Sequence, residues 1–258
     1  MAVDYLLISA TKLEQEQIQN RMDVAETEYY YGRPAYRGIF AGSSILLVEG
    51  GVGLVNTASI LAMLLTIEKP IVILQFGIGG AYTDSGLNVG DIAIATEECY
   101  GDLGVLTPEG WLDIESMGFP IIPVEARTVT DKTSPPFYNR IPLDLEFSIR
   151  TQNILETNFK GSCQMVSNGP FVTVQQCSGI KTTGDVLAKR FNGICENMEG
   201  VAAAHVSYLN KVPFVEVRGI SNQVINRDLA RWDVDLGIQV CQDAVEKIIE
   251  NLNLRYNQ

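Results

Sequence analysis

Residues 70–77 read PIVILQFG and run directly into GIGGA. A stretch this apolar cannot turn one face to water. As a strand it must be covered on both sides, which is the condition of a strand inside a largely parallel sheet flanked by helices. Similar runs recur as VDYLLISA (3–10), SSILLVEG (43–50), VGDIAIATEECY (89–100) and PFVEVRGIS (213–221), with shorter ones at SCQMVSNG (162–169) and PFVTV (170–174). Between them lie segments of helical spacing: KLEQEQIQNRM (12–22), a Gly-rich turn feeding LVNTASILAMLLTIEK (54–69), LDLEFSIRTQNILET (143–157), MEGVAAAHVSYLNK (198–211) and DLGIQVCQDAVEKIIENL (235–252). The alternation predicts an α/β fold with a central mixed, mostly parallel sheet flanked by helices. No linker, repeat or low-complexity stretch divides the chain, so residues 1–258 are expected to form a single domain.

In sheets of this kind ligands bind at the carboxyl ends of the strands. Ala10-Thr11, Gly50–Gly53, Gly77–Gly80, Asn168-Gly169 and Ser221-Asn222 all fall at such ends. One glycine turn is punctuation, whereas several converging turns let backbone approach a ligand. A dinucleotide site fits poorly. The GxGxx of Gly51–Val55 is followed by Asn56, not by the small residue that close helix packing needs, and the turn follows an interior strand. Residues 101–142 hold six of the ten prolines, which points to long loops near a site.

Charge and composition narrow the ligand class. A formal net charge of −12 gives a nucleic-acid backbone nothing to approach. Apolar runs stop near ten residues, too short to span a bilayer. The N-terminus has no basic n-region, and the five cysteines are scattered without a CxxC, as expected of a reduced, cytoplasmic protein. With one histidine, a zinc site is not expected, and no cofactor is implied.

GGVG (50–53), GIGGA with VGDIAIATEECY, SNGPFVTV, and ENMEGVAAAHV followed by PFVEVRGISN run in order through nearly the whole chain. Together they resemble the nucleoside phosphorylase and nucleosidase superfamily. Within it, the combination of ATKLE, GIGGA, PFVTV and SN…RD…W is most similar to the futalosine hydrolases, with the methylthioadenosine/S-adenosylhomocysteine nucleosidases as near relatives. The resemblance implies hydrolysis of the N-glycosidic bond of a purine nucleoside, a small-molecule substrate, and a homodimer or larger homo-oligomer.

That reaction needs a nucleophile opposite the leaving base and support for a cation-like sugar, a problem parallel to glycoside hydrolysis. The resemblance assigns water activation to Glu14, which as a lone helix carboxylate would otherwise read as solvated. It assigns the ribose hydroxyls to Glu199, with Met198 packing on the sugar; by itself Glu199 would be a carboxylate at a helix N-terminus, favoured by the dipole. Relatives often carry Glu-Met-Glu here, whereas this chain has Asn197-Met198-Glu199. Phe171, ordinarily a core aromatic, is implied to stack on the purine, with the Val172 backbone at the base edge. Gly79 belongs to the turn that approaches the ligand. His205 reads as a satisfied buried histidine.

Asn222 stands where the adenine-cleaving relatives carry Asp. Its amide can donate to a 6-oxo group and accept from a protonated N7, which matches hypoxanthine or guanine and mismatches adenine. Trp232 and the segment Tyr100–Trp111 are candidate walls for a 5′ substituent, and Arg127, Arg140 and Arg227 candidate cations. A phosphorylase would need an anion cradle; Lys12 is the one basic residue near the first turn, and Glu14 would repel phosphate.

Overall fold

The computed structural model describes residues 3–123, 136–252 and 254. The apolar runs form the predicted strands β1 (Tyr5–Ser9), β4 (Ser43–Glu49), β5 (Val72–Ala81), β6 (Ile92–Tyr100) and β12 (Phe214–Gln223). The helical segments form α1 (Lys12–Arg21), α2 (Leu54–Ile67), α3 (Leu145–Asn158), α5 (Gly200–Asn210) and α6 (Val234–Asn251).

Several features were not assigned from periodicity. Residues 23–40 form an antiparallel hairpin, β2 (Asp23–Tyr30) and β3 (Arg33–Phe40), that extends the sheet beyond β4. Half-exposed and rich in charge, it lacks the apolar signature of the inner strands. Residues Lys181–Phe191 form a further helix, α4. The two short runs around 162–174 merge into one strand, β10 (Val166–Thr173), with a register shift between Gly169 and Pro170. Asn168 and Gly169 therefore lie within a strand, not at its end, and the Asn168 amide donates to Gln152.

The main sheet runs β11-β10-β6-β12-β5-β1-β4-β3-β2, where β11 is Cys195–Asn197. Its middle, β4-β1-β5-β12, is parallel throughout, with Tyr5 opposite both Ile45 and Val72. β12 meets β6 antiparallel, and β11 returns to pair antiparallel with the end of β5, so the sheet folds back on itself. Short β9 (Arg140–Pro142) lies on β6, and β7 (Gly104–Thr107) with β8 (Gly110–Asp113) makes a separate hairpin.

Successive residues of β1 enter opposite core layers. Tyr5 and Leu7 pack with Ile18, Phe147, Val245 and Ile248 of the α1, α3 and α6 face, while Leu6 and Ile8 pack with Ile60, Leu64 and Val201 of the α2 and α5 face. Coverage on both sides is what the continuous apolar strands require. Among the described residues no helix is long and apolar enough to cross a membrane.

Candidate active site

The carboxyl ends of β1, β5 and β12, the turn after β4, the β11–α5 turn and the loop after β10 surround a cavity of about 340 Å³. That is within the range of small-molecule sites. Glu14, Gly79, Met198, Glu199, Asn222 and Trp232 all line it.

Glu14 is delivered by the first turn of α1. Thr11 is the N-cap and accepts from the Glu14 amide, while the Thr11 amide donates to Glu14 Oε2 at 2.9 Å, a reciprocal capping box legible as T-x-x-E. A capping-box carboxylate usually faces water; this one is only 5% exposed. Its Oε1 accepts from the Ile78 amide at 3.0 Å. The approach is possible because residue 77 is glycine: a Cβ there would sit 2.4 Å from Glu14 Oε1 and 3.0 Å from Arg218 Nη1. Burial raises the Glu14 pKa; the Arg218 charge and the Ile78 N–H oppose that, and Glu199 adds to it. A carboxyl moved toward neutrality is better matched to proton abstraction than an ordinary one.

Glu199 occupies the N-cap position of α5, yet its side chain caps nothing. Asn197 does that work: its Oδ1 accepts from the amides of Glu199 and Gly200 at 2.9 and 2.8 Å. The Glu199 carboxylate is thereby left to reach outward. It accepts from the Gly53 amide at 3.0 Å and pairs with Arg218 Nη2 at 3.4 Å. Gly53 has φ +90°, the left-handed region that favours glycine, and so can aim its N–H at the carboxylate. Asn197 thus holds the turn together.

Arg218 is the residue that the sequence reading missed. It is 2% exposed, donates to Glu216 Oε1 at 2.8 Å and to the Ile78 carbonyl at 3.1 Å, and joins the Glu14 and Glu199 ends of the cavity. Two charged residues at i and i+2 inside the otherwise apolar FVEVRGIS were the available signal, since a buried charge demands a partner.

Asn222 lies at a bulge near the end of β12, where the register with β5 shifts between Ile220 and Asn222. Its Oδ1 accepts from Ser221 Oγ at 2.9 Å and its Nδ2 donates to the Gln223 carbonyl at 3.2 Å. These bonds orient the amide and leave one N–H and one lone pair unused on a side chain that lines the cavity.

Phe171 and Val172 are not brought to the site. Both are fully buried within β10, Phe171 among Ala81, Ala95, Cys195 and Ile220, and Val172 among Tyr82, Cys99 and Val174. Because the strand continues to Thr173, these residues are sheet interior, and the cavity wall comes from the loop beyond. There Cys177 and Ser178 line the cavity, and Cys177 Sγ lies 3.2 Å from Met198 Sδ. Glu196 pins that loop, accepting from Ser178 N and Oγ at 2.8 and 2.6 Å and from Tyr82 at 3.2 Å.

At the mouth, the Arg227 guanidinium lies 4.8 Å from the Trp232 ring centroid. Arg140 instead pairs with Glu97 and donates to the carbonyls of Arg190 and Phe191, and with Trp111 it lines a second, separate cavity. The 101–142 segment contributes nothing to the lining of the first cavity among the described residues, contrary to expectation. Arg127 lies outside the described residues. His205 meets the Tyr100 hydroxyl at 2.9 Å. Lys12 is turned to Glu16 at 3.7 Å, and Arg33 to Glu49 at 3.0 Å.

The chain is similar to known proteins over most of its length. A futalosine hydrolase of Thermus thermophilus is 28% identical over 249 residues, covering 95% of both chains. A 5′-methylthioadenosine/S-adenosylhomocysteine nucleosidase of Psychromonas ingrahamii is 26% identical, covering 96% of this chain and 98% of the relative. The fold matches that of a 5′-methylthioadenosine/S-adenosylhomocysteine nucleosidase from Neisseria meningitidis, solved with methylthio-immucillin-A, at a TM-score of 0.79 and 22% identity, covering 96% and 99% of the two chains. The model of one family spans residues 4–252, from the first strand to the end of the last helix, and by that match the protein belongs to the phosphorylase superfamily.

Proposed function

We propose that the protein is an N-glycosidase that hydrolyses futalosine, releasing hypoxanthine and dehypoxanthine futalosine, in the futalosine route to menaquinone. The observation that carries this reading is the composition of one cavity. It holds two buried carboxylates, Glu14 and Glu199, the oriented amide of Asn222, and Arg227 stacked on Trp232 at the mouth.

In this reading Glu14 orients a water and takes its proton as the glycosidic bond breaks. Glu199 accepts from the ribose hydroxyls, and Met198 and Gly79 form the walls beside the sugar. The Asn222 amide donates to O6 and accepts from protonated N7; having no proton to give, it leaves N7 to be protonated from solvent. The benzoate of futalosine needs an apolar wall and a cation, which Trp232 and Arg227 supply together. Water is favoured over phosphate because Lys12 and Arg33 are each turned to an acid outside the cavity and Arg218 already carries Glu216 and Glu199. A cytoplasmic homodimer or larger homo-oligomer is part of the same reading.

The test is release of base from futalosine, inosine and methylthioadenosine, with and without phosphate, followed by chromatography. Hypoxanthine from futalosine, independent of phosphate, is expected, with methylthioadenosine nearly untouched. In Asn222→Asp the ratio of adenine to hypoxanthine release rises, most at low pH where the Asp is protonated. Equal wild-type rates on 6-oxo and 6-amino substrates, or an unaltered ratio in the variant, return Asn222 to the role of a bulge residue.

A further inference from the structure

Beneath the cavity lies a polar cluster for which the reaction above has no role. Glu98 of β6 and Glu216 of β12 are both fully buried. Glu216 Oε1 accepts from Arg218 Nε, while its Oε2 has no donor. Glu98 Oε2 lies 2.6 Å from Thr173 Oγ1, and its Oε1 accepts from Asn197 Nδ2 at 3.0 Å. The two carboxyl groups converge where α5 begins: a Cβ on Gly200 would lie 2.2 Å from Glu98 Oε1 and 2.3 Å from Glu216 Oε2. Two carboxylates cannot both stay ionised at such range in a buried site, and an acceptor with no donor is costly there. A single proton between them removes both difficulties.

We infer that Glu98 and Glu216 share one proton, with Glu98 as the neutral acid donating to Glu216, and that this pair is a positioning device for Arg218 and hence for Glu14 and Glu199. The assignment to catalysis rests on the nucleosidase reading; the shared proton does not. Glu216 is then left as the ionised partner that fixes the Arg218 guanidinium, whose other nitrogens hold the Ile78 carbonyl and Glu199. The titratable groups within electrostatic reach of the pair are Arg218 on the strand of Glu216, Glu199 at the start of α5, and Cys99, Tyr100 and Cys195 of β6 and β11, with Glu14 of α1 on the far side of Arg218. Burial, then each other's charge, holds Glu98 well above the ordinary carboxyl range. Burial likewise raises Glu216, against the pull of Arg218. At high pH the shared proton leaves, two carboxylates repel, and the arginine loses its fixed seat.

The experiment has two readouts. In the wild-type protein without substrate, infrared spectra with 13C-labelled glutamate should show a protonated carboxyl band at neutral pH that Glu98→Gln removes. Its absence from the wild type, or its survival in Glu98→Gln, overturns the shared proton whatever the enzyme does. In the assay, Glu216→Gln and Glu98→Ala should lower kcat by on the order of 10²-fold, the scale of an ångström-level misplacement. The wild type should show an alkaline fall in kcat; Glu98→Gln, which keeps a donor toward Glu216, should stay within about tenfold of wild type and should lack that fall. An unchanged alkaline limb in Glu98→Gln, or equal losses in the Gln and Ala variants, overturns the positioning role. A wild type with no glycosidase activity overturns the nucleosidase reading and leaves the infrared test standing.

Discussion

Glu14 is held by three hydrogen bonds, two from Thr11 that any capping box would supply and one from the Ile78 amide of β5, and such bonds alone do not make it a base. What sets it apart is that it is buried at the cavity and titrates above its usual range. Glu14→Gln is nearly isosteric and is expected to fold, because Gln retains one acceptor for the Ile78 or Thr11 amide. Turnover should drop by roughly 10²–10⁴-fold, the scale of a lost general base. The sign with pH follows from the raised pKa: the base is lost as pH falls through it. The acid limb of kcat/KM should therefore lie above the ordinary glutamate value of about 4.3. Single-turnover rates across pH check both points, and near-wild-type turnover in the Gln variant removes Glu14 from the mechanism.

The β11–α5 turn shows how one element serves the site. Asn197 accepts from two backbone amides and from Thr173 Oγ1 at 2.9 Å, and it donates to Glu98. It thus starts α5, sets the direction of Glu199 and ties both to the acid pair. Asn197→Ala leaves the first amides of α5 without an acceptor and should cost about 1–2 kcal/mol, the upper range for a lost cap. Urea unfolding should show a lower midpoint at unchanged slope. If Glu199 holds the ribose, the same variant should raise KM for ribonucleosides more than for their 2′-deoxy analogues. A midpoint within error of wild type would remove the capping role. The bulge at the end of β12 plays a comparable part for Asn222, re-aiming one side chain without ending the strand.

Across the molecule, carboxyl groups at the site are raised in the native state: Glu14, Glu98, Glu196 and Glu216, each by burial first. Between the ordinary carboxyl range and these raised values, the native protein holds protons that the unfolded chain has released. Linkage then makes stability fall as pH rises. The net charge of −12 at pH 7 acts in the same sense, through repulsion that grows above acid pH. His205, lowered by burial, acts in the opposite sense below about pH 6.5, as one group against four. The melting temperature should therefore decline from about pH 5 to pH 8, the reverse of a protein whose carboxylates are held below their usual range. Calorimetry across that interval checks it; a rising melting temperature would show that the site carboxylates are ionised in the fold.

Sequence alone determined the layers. Continuous apolar strands alternating with helical segments need cover on both faces, so the inner strands of the sheet and five of its helices were legible in the sequence, whereas the β2–β3 hairpin, α4 and the run of β10 past Gly169 were not. Glu14, Gly79, Met198, Glu199, Asn222 and Trp232 were named on the family resemblance, and the fold brings all six to one cavity; the roles given to them belong to the proposal. Tertiary structure decided what depends on the distance between strands remote in sequence. Phe171 looked like a base platform because a motif records order, not where a strand stops; the strand ran on, and the ring went into the core. Arg218 was legible in sequence only as a charge in an apolar strand that demands a partner; that Glu14, Glu199 and Glu216 stand around it was decided by the tertiary structure. The acid pair was invisible for the same reason: 118 positions separate Glu98 from Glu216, and only the packing of β6 against β12 at the start of α5 brings two carboxyl groups close enough to share a proton.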